Sequence, residues 1–238
     1  MIPESSPAPS IIRPQADWSA LRFFTKRGTA TALIIGGVLN LLASVLIQFW
    51  LDAAGGERSV ALVENPGLGL VATSLNLLAI PLMLLGFGGL LRLASRRAPV
   101  LSRVAWGASI VGLGAFFVMT ASVLVLYSVA AESSPEIPAP VLAAINGQSG
   151  SWVFLGVFAL FMIVNPLGII LSAVAFLRSR IIPLWATLSL LAFLIADFVL
   201  PPLPFIDWHV LFLAFAGGTA WAVLKTGEEC WADAGELG

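Results

Sequence analysis

One carboxyl and one imidazole lie at the edges of apolar stretches, where a charged group is costly and needs a reason. Asp197 lies four residues before Pro201, and His209, the only histidine in the chain, follows the turn that Pro201 begins. We expect the two flanking helices to be antiparallel neighbours, which would place both side chains at similar depth. Burial and the nearby helix C-terminus both oppose ionisation of Asp197. A carboxyl that keeps its proton is what a general acid requires.

Further polar side chains lie in the other apolar stretches and converge on one cavity if the helices turn them inward. Asn40 and Asn165 lie near the middle of their stretches, whereas Gln48, Asn76 and Tyr127 lie nearer one end. If the protein is an enzyme, we predict that its catalytic residues are Asp197, His209 and Tyr127. We predict that the ligand-binding residues are Gln48, Asn76, Asn165 and Trp208.

A structural interpretation stays open for every one of these residues. Asp197 can pair with His209 as a contact between helices, since polar contacts of this kind hold membrane bundles together. Asp207 is expected to cap the helix that His209 opens. Pro81 and Pro166 each free one backbone carbonyl inside an apolar stretch. Such a carbonyl either lines a cavity beside a neighbouring asparagine or leaves a packed kink.

Counting residue types excludes several kinds of site. One histidine and one cysteine cannot supply a multi-histidine zinc or haem site, nor an intrachain disulfide. The chain contains no Ser-His-Asp arrangement, phosphate-binding loop or carboxylate-rich metal motif. Neither a metal nor a cofactor is therefore expected. A net charge of −1 offers no basic field to hold nucleic acid.

The elements that would position these residues are transmembrane helices. Hydrophobic residues make up 59% of the chain and charged residues 11%, against about 25% charged in a soluble domain. Six apolar runs are long enough to cross about 30 Å of hydrocarbon as helices. They span residues 29–51, 68–92, 104–130, 152–177, 181–200 and 208–224. We therefore predict an all-α integral membrane bundle of six transmembrane helices.

The basic residues predict the direction of these spans. Every lysine and arginine except Arg58 falls on one side of the predicted membrane, and basic loops stay cytoplasmic. Both termini are therefore expected in the cytoplasm. Tryptophans prefer the interfaces, and Trp50, Trp152 and Trp208 fall at the predicted outer boundary. The lipid bilayer is the expected surrounding of the whole domain, residues 28–225.

The segments outside the six spans are expected to be tails, surface helices or connections. The proline-rich residues 1–16 are expected to be disordered. Residues 17–27 form either an amphipathic helix on the inner membrane surface or an unstructured basic anchor. Residues 226–238 are expected to be a frayed acidic tail. In the longest outer loop, residues 141–145 either cover the cavity as a lid or only connect two helices.

The fourth span and its exit resemble a known family. The span opens with Trp152-Val153-Phe154-Leu155-Gly156 and leads to Phe176-Leu177-Arg178-Ser179-Arg180-Ile181-Ile182-Pro183-Leu184-Trp185. This pattern, with the architecture of residues 26–224, is similar to a family of bacterial six-helix membrane proteins classed as a domain of unknown function. The resemblance implies a bacterial cytoplasmic membrane. It implies no established activity and transfers no catalytic residue.

Two functional hypotheses follow from the clustered polar residues. In the first, the protein binds a lipid-like or small apolar ligand, or a membrane partner, at a polar cavity in the outer leaflet. In the second, it is an intramembrane enzyme using Asp197 with His209 or Tyr127 for acid–base chemistry on an apolar substrate, by analogy with terpene cyclases and isomerases. A transporter is disfavoured because the inner halves of the spans are too apolar.

Small residues at four-residue spacing occur in the third and sixth spans. Such pairs let two helix backbones approach closely. They serve either packing within the chain or a homodimer, and the sequence leaves both open. The pairs are Ala108–Gly112 and Ala214–Gly218.

Overall fold

The computed structural model describes residues 25–133, 136–145, 152–200, 206–227 and 231. Within these ranges the chain forms eight helices and no strand. The prediction of an all-α protein is confirmed. The helices are α1 (Lys26–Ala53), α2 (Arg58–Glu64), α3 (Pro66–Ala94), α4 (Pro99–Ser133), α5 (Ala139–Ile145), α6 (Trp152–Ser179), α7 (Leu184–Val199) and α8 (His209–Lys225).

Six of these helices cover the six apolar runs, and the short helices α2 and α5 lie in the two long connections. Four of them, α1, α3, α4 and α6, are long and apolar enough to cross a membrane. The other two, α7 and α8, are apolar but have only 16 and 17 residues. That length is at the lower limit for about 30 Å of hydrocarbon.

The outer surface of the bundle is apolar. Val100, Val153 and Trp152 expose 70%, 78% and 85% of their surface, and large apolar side chains are exposed on all six long helices. In water such a surface would promote association, whereas in a bilayer it faces hydrocarbon at no cost. The helices therefore belong to a membrane-embedded protein.

Glycines allow the closest approach between α1 and α3. The two helices run antiparallel, with Gly36 against Met83 and Gly86 against Leu33. A Cβ atom added to Gly86 would lie 2.6 Å from Leu33 Cδ2, well inside van der Waals contact. This pair places the start of α1 and the end of α3 at the same end of the bundle.

The two small-residue pairs found in the sequence both make contacts within the chain. Gly112 of α4 packs on the backbone of Asn165 in α6, where an added Cβ would lie 2.5 Å from the Asn165 Cα. Gly218 of α8 packs on the indole ring of Trp185 in α7. These glycines hold α4 on α6 and α7 on α8.

The antiparallel helices give the bundle two chemically different ends. Among the described residues, every lysine and arginine except Arg58 lies at the end where α1 begins, which we call the basic end. There the Arg97 guanidinium donates a hydrogen bond to the Ser179 carbonyl at 3.0 Å. The opposite end, where α7 stops and α8 begins, is the acidic end. Its described carboxyl groups are Asp52, Glu57, Glu64, Glu132, Glu136 and Asp207.

In the half of the bundle next to the basic end, which we call the packed half, aromatic side chains fill the space between the helices. A space of about 500 Å³ lies at its outer limit, between Leu93, Arg97 and Ser179. The ring of Phe87 lies 5.6 Å from that of Phe215 and 6.4 Å from that of Phe176, measured between centroids. Phe176 and Phe215 are fully buried. The Thr219 hydroxyl donates to the Phe215 carbonyl at 2.6 Å. This half fixes the helices that surround the hollow half, next to the acidic end.

The predicted terminal segments lie largely outside the described residues. This holds for all of residues 1–16, for residues 17–24 of the predicted interfacial helix, and for most of residues 226–238. Lys26 and Arg27 form the first turn of α1. The Thr25 hydroxyl oxygen accepts the Gly28 backbone N–H at 3.0 Å and caps that turn. Trp231 packs against Arg92, whose guanidinium lies 5.9 Å from the indole centroid.

Candidate functional site

A cavity of about 280 Å³ occupies the hollow half of the bundle. Each of the six long helices contributes at least one polar side chain to it, while the remaining wall is apolar and rich in phenylalanine. Phe87 separates the cavity from the packed half. The polar lining residues are Asn40, Ser44, Asn76, Ser109, Asn165, Asp197 and His209.

The hairpin of α7 and α8 brings Asp197 and His209 to this cavity. The two helices run antiparallel, with the Phe193 ring edge-on to the His209 imidazole at 5.1 Å between centroids. Asp197 follows Phe193 by one helical turn and is exposed at the mouth of the cavity. The two side chains therefore share one wall, as the antiparallel arrangement led us to expect.

The hydrogen-bond partner of His209 is Asp207 and not Asp197. His209 Nδ1 lies 2.8 Å from Asp207 Oδ1, and the same oxygen accepts the His209 backbone N–H at 2.8 Å. A carboxylate just before a helix can bond to the first residues of that helix without ordering a distant segment. The local Asp207–His209 pair is therefore favoured over a pair between two helices. Among the described residues no hydrogen bond joins Asp197 to His209, the contact between helices that the sequence left open. Asp197 stays within electrostatic reach of both groups.

Asp207 is the ionised carboxylate of the site. Burial opposes its ionisation, but the His209 side chain, the nearby Ser44 hydroxyl and the His209 backbone N–H together lower the pKa of Asp207 below its ordinary value. The N-cap residue of α8 is Trp208, whose side chain makes no capping hydrogen bond, so the prediction of Asp207 as the cap is wrong; Asp207 precedes the cap and bonds the N–H of the first helical residue. The second oxygen, Oδ2, and the neighbouring Trp208 indole N–H are buried without a hydrogen-bond partner among the described residues.

Amide side chains line the deeper part of the cavity. The Asn40 amide donates to the Asn76 Oδ1 at 3.4 Å and links α1 to α3. Asn165 is buried against Gly112 and makes no hydrogen bond to a described residue. Pro81 and Pro166 lie inside α3 and α6, which continue as helices past both residues.

Gln48 and Trp208 lie at the mouth of the cavity. They line a smaller space of about 120 Å³ at the acidic end, which they share with Asp197, Asp207 and His209. Because Asp197 and His209 line both spaces, the smaller one adjoins the larger at the acidic end. The predicted ligand residues thus divide into two at the mouth and two, Asn76 and Asn165, inside.

The structure does not bring Tyr127 together with Asp197. The Tyr127 ring packs on Trp50 at 5.4 Å between centroids and lines a separate space of about 690 Å³ with Arg58 and Ile145. The segment 141–145, considered as a lid, forms most of α5 and packs on this second cluster through Ile145. The Trp50 indole N–H donates to the Ala61 and Asn65 carbonyls and closes the cluster.

Ser44 and the cavity phenylalanines are site residues that the sequence analysis missed. Asn40, Ser44 and Gln48 follow one another at four-residue intervals, which places them on one face of α1. That spacing is a signal that identifies Ser44. Phe161 and Phe198 carry no such signal, because a helix that is apolar all round does not reveal its inward face.

The chemistry available at the site rests on three groups. Asp207 and His209 form a carboxylate–imidazole pair, and beside them the Asp197 carboxyl makes no hydrogen bond to a described residue. Within the described part of the chain, no three His, Cys, Asp or Glu side chains are grouped to hold a metal ion. Such a site can bind a polar atom of a mostly apolar molecule or exchange a proton with it. No protein-family model, curated protein or solved structure matches this chain.

Proposed function

We propose that the protein binds a lipid-like or small, largely apolar molecule in the cavity of the hollow half. One observation carries the proposal: polar side chains from all six long helices converge on a single, otherwise apolar cavity. Ligand sites are mostly apolar with a few placed polar groups. Side chains that served only helix packing would meet one another in pairs, as Asn40 and Asn76 do.

The size of the cavity is consistent with a bound molecule. Its volume of about 280 Å³ exceeds the roughly 150 Å³ of an apolar cavity that admits benzene. The cavity therefore has room for a small molecule or for one end of a lipid-like molecule.

The membrane arrangement that serves this function has six spans and cytoplasmic termini. Its support is the concentration of basic residues at one end, since basic segments stay in the cytoplasm. The mouth at the acidic end then opens to the outer leaflet of a cytoplasmic membrane, the location that the resemblance implies. Two C-terminal fusions test this orientation, one reporter active only in the cytoplasm and one active only outside it. We expect activity from the first, and activity from the second alone would reverse the orientation.

The binding proposal is tested by filling the cavity. Ile47 lines the cavity on α1, and Ile35 on the same helix is 44% exposed on the outer surface. We expect native mass spectrometry of the wild-type protein from membranes to show a retained molecule. Ile47→Trp should lose it and Ile35→Trp should keep it. Equal retention by both variants, or none by the wild type, would contradict the proposal.

A second candidate, an acid–base enzyme, is favoured by the free carboxyl of Asp197 beside the Asp207–His209 pair. Protonated Asp197 would add a proton to an olefinic carbon, and neutral His209 would remove one from an adjacent carbon. The double bond then moves, and the proton returns from imidazole to carboxylate, so the atoms balance. In deuterated water, wild-type protein should label an isoprenoid olefin, and Asp197→Asn should not. Equal labelling by both would exclude this activity.

A further inference from the structure

The charge of the cavity is not balanced by its lining. The acidic end of the site holds two carboxyl groups and one imidazole, and no lysine or arginine is among the described residues that line either the cavity or its mouth. His209 is already bonded to Asp207. When Asp197 is ionised, the three groups carry a net negative charge in either protonation state of His209. An excess charge at the edge of an apolar span is costly and is stabilised by a counter-ion.

The wall beside Asp197 is aromatic. Phe161 stacks on Phe116 at 4.6 Å between centroids, and Phe198, the residue after Asp197, lies 6.1 Å from Phe161. All three rings line the cavity. The face of an aromatic ring attracts a cation, and the attraction grows when water is excluded. The Asp197 carboxyl and these three rings therefore line the same cavity.

We propose that the molecule bound in this cavity is a small organic cation, an ammonium group carrying an apolar body, with Asp197 as its counter-ion. This inference rests on the proposed binding function and names the class of ligand. The ammonium group lies at the mouth between Asp197 and the rings of Phe161 and Phe198. The apolar body extends inward toward Met83 and Phe87.

Other ligand classes fit these groups less well. A carboxylate or phosphate would be repelled by Asp197 and Asp207, and none of the described lysines or arginines lines the cavity to compensate for that repulsion. An uncharged hydrocarbon would leave the Asp197 carboxyl, at the edge of an apolar span, without a counter-ion.

A matched pair of probes tests the charge requirement. Benzyltrimethylammonium and neopentylbenzene have the same shape and differ only in the nitrogen or carbon that carries three methyl groups. Binding to the full-length protein in lipid nanodiscs is measured by equilibrium dialysis, and empty nanodiscs correct for partition into lipid. We expect the wild type to bind the cation at least about tenfold more tightly than the isostere, the size of one charged contact.

Variants of Asp197 test whether this carboxyl causes the preference for the cation. Asp197→Asn should lose the preference for the cation while still binding neopentylbenzene, and Asp197→Glu, which keeps the charge, should retain it. Glu132→Gln removes an exposed carboxyl from the same end, outside the cavity lining, and should change neither affinity. Thermal unfolding verifies that each variant is folded.

The outcomes separate this inference from the binding function. Equal binding of both probes by the wild type, or an unchanged preference in Asp197→Asn, would show that the ligand is not a cation held by Asp197. Neither result would contradict the proposed binding function. If neither probe binds while native mass spectrometry still shows a retained molecule, the cation is again wrong and the binding function stands. If nothing is retained either, both proposals are wrong.

Discussion

The packed half and the hollow half of the bundle are built from the same six long helices but differ in what those helices place inside. In the packed half, Phe87, Phe176 and Phe215 fill the interior, and the Thr219 hydroxyl bonds to a helix carbonyl. In the hollow half, phenylalanines line the wall without filling the centre, and the Asp197 carboxyl makes no hydrogen bond to a described residue. We therefore assign stability to the packed half and, under the proposed function, ligand recognition to the hollow half.

The largest expected difference between the two halves is in the loss of stability when an aromatic ring is removed. Phe215→Ala leaves a void in a fully packed site and should lower the free energy of unfolding by about 3–5 kcal/mol. Phe161→Ala removes a ring that already borders a cavity and should cost less. Unfolding in mixed micelles measures both variants, and equal losses would show that the two halves are packed alike.

The next effect is the change in the free energy of unfolding when a polar group of the proposed site is replaced by an apolar one. Asp197→Leu replaces a carboxyl that makes no hydrogen bond to a described residue with an apolar side chain suited to a membrane helix, and it should raise the free energy of unfolding by about 1–2 kcal/mol. Thr219→Val, in the packed half, should change it by less than about 0.5 kcal/mol because only a hydroxyl bond to an already bonded carbonyl is lost. The same micelle unfolding measures both. A destabilised Asp197→Leu protein would mean that Asp197 stabilises the bundle.

A smaller effect follows from the lowered pKa of Asp207. Because its folded pKa lies below the ordinary carboxyl value of 3.8, its pairing stabilises the protein above that pH and is lost as the pH falls through the folded value. Asp207→Asn should cost about 1 kcal/mol at neutral pH and remove this part of the acid-side loss. Unfolding measured at several pH values tests this, with Glu132→Gln as the control. An unchanged acid-side slope would contradict it.

The smallest expected effect is at Tyr127, which belongs to neither half of the comparison. Tyr127→Phe removes a hydroxyl in the Trp50 cluster, outside the cavity lining. It should leave the free energy of unfolding within about 0.5 kcal/mol of the wild-type value and the retained molecule unchanged. Loss of that molecule in native mass spectrometry would make Tyr127 part of the site.

The helices were predictable from the sequence because long apolar runs ending at prolines and basic residues leave few alternatives. The antiparallel α7–α8 hairpin likewise predicts that Asp197 and His209 share one end. The Asp207–His209 bond was not foreseen, because it depends on how the turn folds back onto α8. The separation of Tyr127 from Asp197 depends on helix rotation, and a helix apolar all round carries no signal for it. Ser44 could have been found from its spacing to Asn40 and Gln48.

The central claim is that the hollow half is a binding site. A crystal structure of the protein grown in lipid, without added ligand, tests it most directly. We predict non-protein density between Asn165 and Asp197, bounded by the ring of Phe161. A cavity closed by side chains of α6 and α7, with the Asp197 carboxyl turned outward to the lipid headgroups and no density beside it, would contradict the claim.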